Sequence, residues 1–304
     1  MNVRFGVFAD LHIDFIHDSR KRFDGFLSEC RESEVDFCVQ LGDFCPPNGV
    51  NTADKEYIIE QIKTSTIPFY HVLGNHDMDA NCKIDVLKYI GASDAHNSFD
   101  YGGVHFVILD ACYYQTGSEY INYNYGNYRE LSGDVKIPVL PPSELAWLQS
   151  DLEQAKYPTI IFTHQSLIES RAGIQNTDEF RKVVASASND VIFAVCGHEH
   201  VDRLEHKDGI WYLCLNSMSY YWAGSKYTHD TYPQEIVEKY DKLTKVFPYK
   251  GPLYAIVEVN DEGISVYGKQ TSIVGATPKE LQFEKKGLVD EITASIKDRY
   301  IRFK

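Results

Sequence analysis

The sequence predicts an α/β fold, because short apolar runs alternate with amphipathic segments through much of the chain and hairpin patterns follow them. The strand-like runs are Val3 to Ala9, Val35 to Leu41, Pro68 to Leu73, Val104 to Leu109, Thr159 to Thr163 and Val191 to Cys196. Each is almost continuously apolar, as expected when both faces of a strand are covered. Helical patterns lie between them at Arg20 to Glu32, Ala53 to Lys63, Ser143 to Ala155 and Thr177 to Ser188. In the third, Leu145, Leu148 and Leu152 recur at i, i+3 and i+7 behind Pro141 and Pro142, with Ser143 as the candidate N-cap. This alternation implies mostly parallel pairing with helices outside. Later, Val201 to His206 and Ile210 to Leu215 flank Lys207-Asp208-Gly209, while Leu253 to Val259 and Ile264 to Gly268 flank Asp261-Glu262-Gly263. Both read as hairpins, so antiparallel strands are expected to close a second sheet against the first. A last helix is expected from Leu288 to about Tyr300.

Composition narrows the class. With 43% apolar and 24% charged residues, the chain is neither disordered nor fibrous. No run approaches the roughly 18 consecutive apolar residues of a membrane-spanning helix, and the opening MNVRFGVFAD reads as a strand ending in an acid rather than a leader. At 304 residues, one large domain or two small ones are allowed; no repeat or interdomain linker stands out, so a single domain over 1–304 is expected. The net charge of −14, without a Lys/Arg-rich run, argues against a duplex nucleic acid partner. An anionic substrate would then need another attractor, for which bound metal is suited. Seven cysteines, at 30, 38, 45, 82, 112, 196 and 214, form no C-x-x-C pair. That pattern fits buried thiols in a reducing, cytoplasmic setting rather than a disulfide framework.

Two tyrosine-rich stretches break the rhythm. Residues 113–137 hold six tyrosines among Asn and Gly, and residues 220–249 hold Tyr220, Tyr221, Trp222, Tyr227, Tyr232, Tyr240, Phe247 and Tyr249. They are too polar for core strands and too aromatic for linkers, so they read either as binding loops or as aromatic packing on the scaffold.

The strongest chemical signal is at the strand ends. The first run ends in Ala9-Asp10-Leu11-His12, the second in Leu41-Gly42-Asp43 and the third in Leu73-Gly74-Asn75-His76-Asp77. The fifth gives Thr163-His164 and the sixth Cys196-Gly197-His198-Glu199-His200. Side chains at the C-terminal ends of parallel strands converge on one sheet edge, where α/β sheets bind ligands. Carboxylate, imidazole and amide oxygen without thiolate suit borderline or hard ions such as Mn, Fe, Zn, Co or Ni. Asp10, His12, Asp43, Asn75, His164, His198 and His200 give seven donors, and a carboxylate can bridge two ions. Any one piece alone is commonly structural; all five in this order are not a chance pattern.

The set D-x-H, G-D, G-N-H-D, H and G-H-x-H resembles the calcineurin-like metallophosphoesterase superfamily, directly over Asp10 to His200. The resemblance implies a four-layer α/β/β/α sandwich with two mixed sheets and a metal site at the C-terminal strand ends. It also implies one ion on Asp10, His12, Asp43 and His200, and a second on Asp43, Asn75, His164 and His198. His76 would be the family's additional histidine, contacting phosphate and protonating the leaving oxygen, with Asp77 orienting its ring. An adjacent carboxylate can fix a histidine's tautomer and raise its pKa.

The function expected is hydrolysis of phosphate esters by two divalent or mixed-valence ions, with Mn, Fe or Zn foremost, through a hydroxide that bridges them. The first motif with His12 and the closing Gly-His-Glu-His look like class III cyclic-nucleotide-type phosphodiesterases, which favours a phosphodiesterase acting on a small soluble ester. A nucleotide diphosphate hydrolase for ADP-ribose-like or CDP-alcohol-like compounds, and a non-catalytic scaffold of the same fold, are the competing readings. His17 reads as a surface-loop residue and His71 and His105 as packed or edge residues, His96, His206 and His229 have no supporting pattern, Cys45 reads as a packed thiol, and Asn216, Tyr113 and Tyr221 are candidate pocket residues by position alone. Gly263 to Lys269 has the spacing of a phosphate loop, but Gln270 stands where Ser or Thr is needed and Ile264 to Tyr267 alternates like a strand.

Overall fold

A computed structural model describes residues 1–44, 51–129, 135–170, 172–284 and 291–303. Cys45 lies outside them. The chain opens with β1 (Asn2–Phe8), α1 (Ser19–Glu32), β2 (Phe37–Gln40), α2 (Thr52–Thr64) and β3 (Phe69–His71). It continues through α3 (Lys83–Ile90), β4 (Asn97–Tyr101), β5 (Val104–Ile108), β6 (Tyr113–Thr116), β7 (Glu119–Asn122), α4 (Pro142–Gln154), β8 (Thr159–Phe162), α5 (Thr177–Ala185) and β9 (Val191–Cys196). Last come β10 (Arg203–Lys207), β11 (Ile210–Cys214), β12 (Tyr220–Trp222), α6 (Gln234–Lys239), β13 (Val246–Pro248), β14 (Ala255–Asn260), β15 (Gly263–Gly268) and β16 (Arg299–Arg302). The phosphate-loop look-alike is therefore strand β15. Helix α4 starts one residue before the expected cap, with Pro142 in the first turn, where its missing N–H costs nothing.

Two six-stranded mixed sheets result, ordered β16-β15-β14-β1-β2-β3 and β10-β11-β9-β8-β5-β4. Within the first, β1, β2 and β3 pair in parallel; within the second, β5, β8, β9 and β11 do. Two expectations change here. The six early strands do not share one sheet but divide three and three. The two hairpins do not together close a second sheet, since β10–β11 extends the second and β14–β15 flanks β1 in the first. Apolar runs show that both faces of a strand are covered, but not which neighbour covers them.

The facing sides of the sheets share one core in which Val3, Phe5, Val7, Phe37, Phe106, Phe162 and Val195 are buried. Phe5 stacks on Phe37 of the neighbouring strand at 5.3 Å and meets Phe106 and Phe162 of the facing sheet edge-on at 5.8 and 5.5 Å, so ring contacts join the two sheets. Outside the first sheet, Phe23, Phe26 and Leu27 of α1 and Ile58 and Ile62 of α2 pack on Phe8 and Cys38. Outside the second, Leu148 and Leu152 of α4 and Phe180 of α5 pack on Val107, Ile161 and Ala194. The order is helix, sheet, sheet, helix.

The expected C-terminal helix is a correction. Positions 288–290 lie outside the described residues, and Arg299–Arg302 forms β16 on the edge of β15. Ala294, Ile296 and Ile301 turn into the inter-sheet core while Tyr300 is half exposed. Alternating burial along an open sheet edge outweighs the weak helical periodicity of this segment.

His105 of β5 is held between Asp100 (2.7 Å) and Asp151 (2.8 Å), and Ser98 donates to the same Asp151. Burial opposes its imidazolium, but the hydrogen bonds to Asp151 and Asp100 outweigh that and raise its pKa. A raised folded value stabilises the fold fully below the unfolded pKa of about 6.5 and loses that stabilisation as pH rises through the folded value. His105→Gln, which keeps polar contacts without the charge, should therefore lower stability most near pH 6 and progressively less at alkaline pH in denaturant titrations. A deficit independent of pH would contradict this.

Candidate dinuclear metal site

Parallel strands end together, so β1, β2 and β3 deliver their following residues to one edge of the first sheet, and β8 and β9 do so for the second. The two edges meet. Past β1, the chain stays bonded to the segment after β2: Asp10 N–H donates to the Gly42 carbonyl (3.1 Å), His12 to that of Asp43 (3.0 Å) and Ile13 to that of Phe44 (3.1 Å). This fixes Asp10, His12 and Asp43 side by side.

The backbone that aims them is unusual. Asp10, His12, Asp43, His198 and His200 all have positive φ, between 50° and 68°. Left-handed conformations are uncommon outside glycine and cluster where a structure over-determines them for function. The motif glycines provide clearance. Gly42 has φ 91°, and a Cβ there would stand 2.6 Å from His164 Nδ1; at Gly197 it would stand 2.7 Å from Asp10 Oδ2. A methyl group would occupy space that the donors need.

All seven predicted donors come together. Asp10, His12 and His200 form one group whose donor atoms lie within 4.8 Å of one another, and Asp43, His164 and His198 form another. In the first, His200 Nε2 is 3.3 Å from both Asp10 Oδ1 and His12 Nε2. In the second, His164 Nε2 is 3.2 Å from Asp43 Oδ2, 3.2 Å from Asn75 Oδ1 and 3.1 Å from His198 Nδ1. Asp43 Oδ2 is also 3.8 Å from His12 Nε2, so this one oxygen stands between the groups.

The imidazole tautomers fit cations. His164 Nδ1 faces the Leu41 carbonyl at 2.7 Å and His200 Nδ1 the Tyr220 carbonyl at 2.8 Å. A carbonyl accepts only from N–H, so each Nδ1 carries a hydrogen and each Nε2 faces the cup, the outer hydrogen bond typical of metal-ligating histidines. Burial opposes the His164 imidazolium, but Asp43 outweighs it and raises its pKa to about 10, so a cation at Nε2 would displace a proton there. Lone pairs and carboxylate oxygens packed this closely repel unless a proton or a metal cation sits among them. Burial opposes ionisation of Asp43, but the surrounding His164, His76 and His12 outweigh it and hold its pKa well below the usual carboxylate range. Burial, reinforced by His164, pushes His198 down to about 3. A deprotonated Asp43 and a neutral His198 are the forms that bind metal.

His76 stands apart from both groups, its ring edge-on to His12 at 5.2 Å. Its backbone N–H donates to Asp43 Oδ1 (2.7 Å). Asp77, however, is not the carboxylate on its ring. Asp77 is turned back into the protein, accepting N–H bonds from Asp43 (3.1 Å), Phe44 (2.9 Å) and Gly74 (2.8 Å). The ring's Nδ1 instead bonds Asp79 Oδ2 at 2.9 Å. His76 opens a turn of 3₁₀ helix ending at Met78, and residues three apart eclipse there, which brings Asp79 under His76 and sends Asp77 to another face. The spacing of three was the available signal.

Other aromatic neighbours were not evident in sequence. Phe15 and Tyr220 stack against His12 at 5.2 and 5.1 Å. The residues named by position alone are structural: Asn216 donates to the Thr293 and Ser295 carbonyls and accepts from the Tyr249 hydroxyl, Tyr113 lies beneath Lys83, and Tyr221 meets Phe283 edge-on. Among the histidines, His71 is pushed by burial to about 4, His96 pairs with Glu144 and stacks on Trp147, His206 stacks on Trp211, and His17 packs against Tyr232. His229 is bonded between Thr231 and the Val246 carbonyl.

Asp77→Ala would remove the acceptor of three buried amides, each worth about 1–3 kcal/mol when left unsatisfied. Chemical denaturation should show a loss of several kcal/mol; an unchanged midpoint would contradict this bracing role.

Comparison with known proteins agrees with the geometry. The sequence matches the family model described as calcineurin-like phosphoesterase over residues 3–202. No curated protein matches it. Among solved structures, a dimetal phosphatase from Danio rerio is 15% identical, with 90% of this chain and 98% of that one covered and a TM-score of 0.62. The GAP50 anchor of the inner membrane complex of Plasmodium is 14% identical, with 100% and 89% covered and a TM-score of 0.54. At such identities the two structures establish the shared fold. No helix among the described residues is long and apolar enough to cross a membrane. With its family model covering the strands that build the cup, this chain belongs to the calcineurin-like phosphoesterase family and is a metal-dependent phosphoesterase.

Proposed function

We propose that the protein is a phosphodiesterase of small soluble esters, folded as one domain over residues 1–304 and working with two metal ions. One ion would be held by Asp10, His12, Asp43 and His200, the other by Asp43, Asn75, His164 and His198. The observation carrying this reading is Asp43 Oδ2, placed between two groups of carboxylate, amide and imidazole donors, as a bridging ligand must be. Bound there, the ions supply charge to the phosphate and acidity to water. Manganese, iron and zinc suit the donor set.

The chain's own residues do the rest. His76, outside both groups, hydrogen-bonds a phosphate oxygen and delivers a proton to the departing oxygen through Nε2, since Nδ1 is engaged by Asp79. Burial works against the His76 imidazolium, but Asp43 and Asp79 outweigh it and raise its pKa, favouring the donor form. The presence of His12 and the acidic exterior support a small diester over a polymer. A cytoplasmic setting fits the free cysteines.

The purified protein should carry about two ions per chain and hydrolyse bis(p-nitrophenyl) phosphate. A panel of cyclic nucleotides, phosphomonoesters and nucleotide diphosphates under Mn²⁺, Fe²⁺ and Zn²⁺ tests the diester preference, with faster turnover of a diphosphate overturning it. Asp43→Ala should lose metal at both positions, whereas His76→Ala should keep both ions and lose about a hundredfold or more in turnover. Metal-free protein that stays inactive after each ion is added would instead indicate a scaffold.

A further inference from the structure

The tyrosine-rich stretch after β5 docks beside the turn that carries His76. Its residues 124–129 are bonded to the chain that follows His76: Tyr125 N–H donates to the Asn81 carbonyl (2.9 Å), Gly126 N–H to that of Met78 (2.9 Å), and Asn124 Oδ1 accepts from Lys83 N–H (2.8 Å). Tyr125 and Gly126 adopt φ 48° and 68°, which turns the chain so that Tyr128 and Arg129 reach Asp79. The Tyr128 hydroxyl donates to Asp79 Oδ1, and Arg129 Nη2 donates to Asp79 Oδ2 at 2.5 Å. Oδ2 also accepts from His76 Nδ1 at 2.9 Å. Tyr128 itself is buried and stacked on Tyr123 at 4.9 Å, so its hydroxyl has one position.

We propose that Asp79, clamped by Tyr128 and Arg129, is the positioning residue for His76, and that this loop is thereby part of the catalytic apparatus. The inference rests on the role given to His76 above. A carboxylate fixed through both oxygens cannot swing. It holds the imidazole by Nδ1–H, sets the tautomer and leaves Nε2 as the nitrogen available to substrate. Arg129 Nη2 and the Tyr128 hydroxyl also stand 3.1 and 3.5 Å from His76 Nδ1, but with its hydrogen on Asp79 that nitrogen has no lone pair to accept from them, so both act through Asp79.

The test compares the Mn²⁺-loaded protein with its Asp79→Asn, Tyr128→Phe, His76→Ala and His76→Ala/Asp79→Asn variants on two diesters. Bis(p-nitrophenyl) phosphate releases a good leaving group, and diphenyl phosphate one that needs a proton. Asp79→Asn should keep metal content and KM but lower kcat on both esters, the loss being about tenfold larger on diphenyl phosphate. Tyr128→Phe should show the same bias at smaller size, and the double variant should be no slower than His76→Ala alone. Equal losses on both esters, loss of metal, or a further drop in the double variant would overturn the proposal. If His76→Ala is impaired while Asp79→Asn matches the parent, this inference alone fails. If His76→Ala turns over normally, the reading of His76 fails and takes the inference with it.

Discussion

Carboxylate oxygens and imidazole lone pairs do not share a buried cup willingly, and the architecture answers that repulsion. Asp43 sits at its centre, one oxygen near His164 and His12 and the other taken by the His76 amide. Rigid backbone keeps the donors there: left-handed residues at five of them, bonds between the ends of β1 and β2, and carbonyls that orient His164 and His200. Strain of order 1–3 kcal/mol per such residue persists only where surrounding packing over-determines it. A cation between the groups would convert that repulsion into coordination.

The division of strands between two sheets explains why the cup faces both ways. Asp10, His12, Asp43 and Asn75 follow strands of the first sheet; His164, His198 and His200 follow strands of the second. Both donor groups therefore span the seam between sheets, and so do two bonds that brace it, from His164 to the Leu41 carbonyl and from the His198 amide to Asp10. Below it, Phe5 of the first sheet meets Phe106 and Phe162 of the second edge-on, so the two sheets are packed ring against ring under the seam. Packing below the site thus supports its geometry, as expected of close-packed interiors.

Much of this was legible in the residues. The strand–ligand alternation placed all seven donors, because a ligand at a parallel strand's end has few places to go. The sheet assignment was not legible, since a buried apolar run reads alike in either sheet. Nor was the C-terminal strand, whose Ile301 pairs at an open edge that only the fold creates, with Ile296 buried just before it. Asp77 was misassigned for a local reason: adjacency in sequence suggested contact with His76, whereas a 3₁₀ turn carries contact three residues on, to Asp79. Tyr128 and Arg129 come from fifty positions away and belong to His76 only through the docking of their loop.

Anomalous diffraction from a manganese-soaked crystal tests the central claim most directly. The account predicts two manganese peaks per chain, one among Asp10, His12 and His200 and one among Asn75, His164 and His198, with the Asp43 carboxylate touching both. A single peak, or two peaks of which only one contacts Asp43, would contradict it.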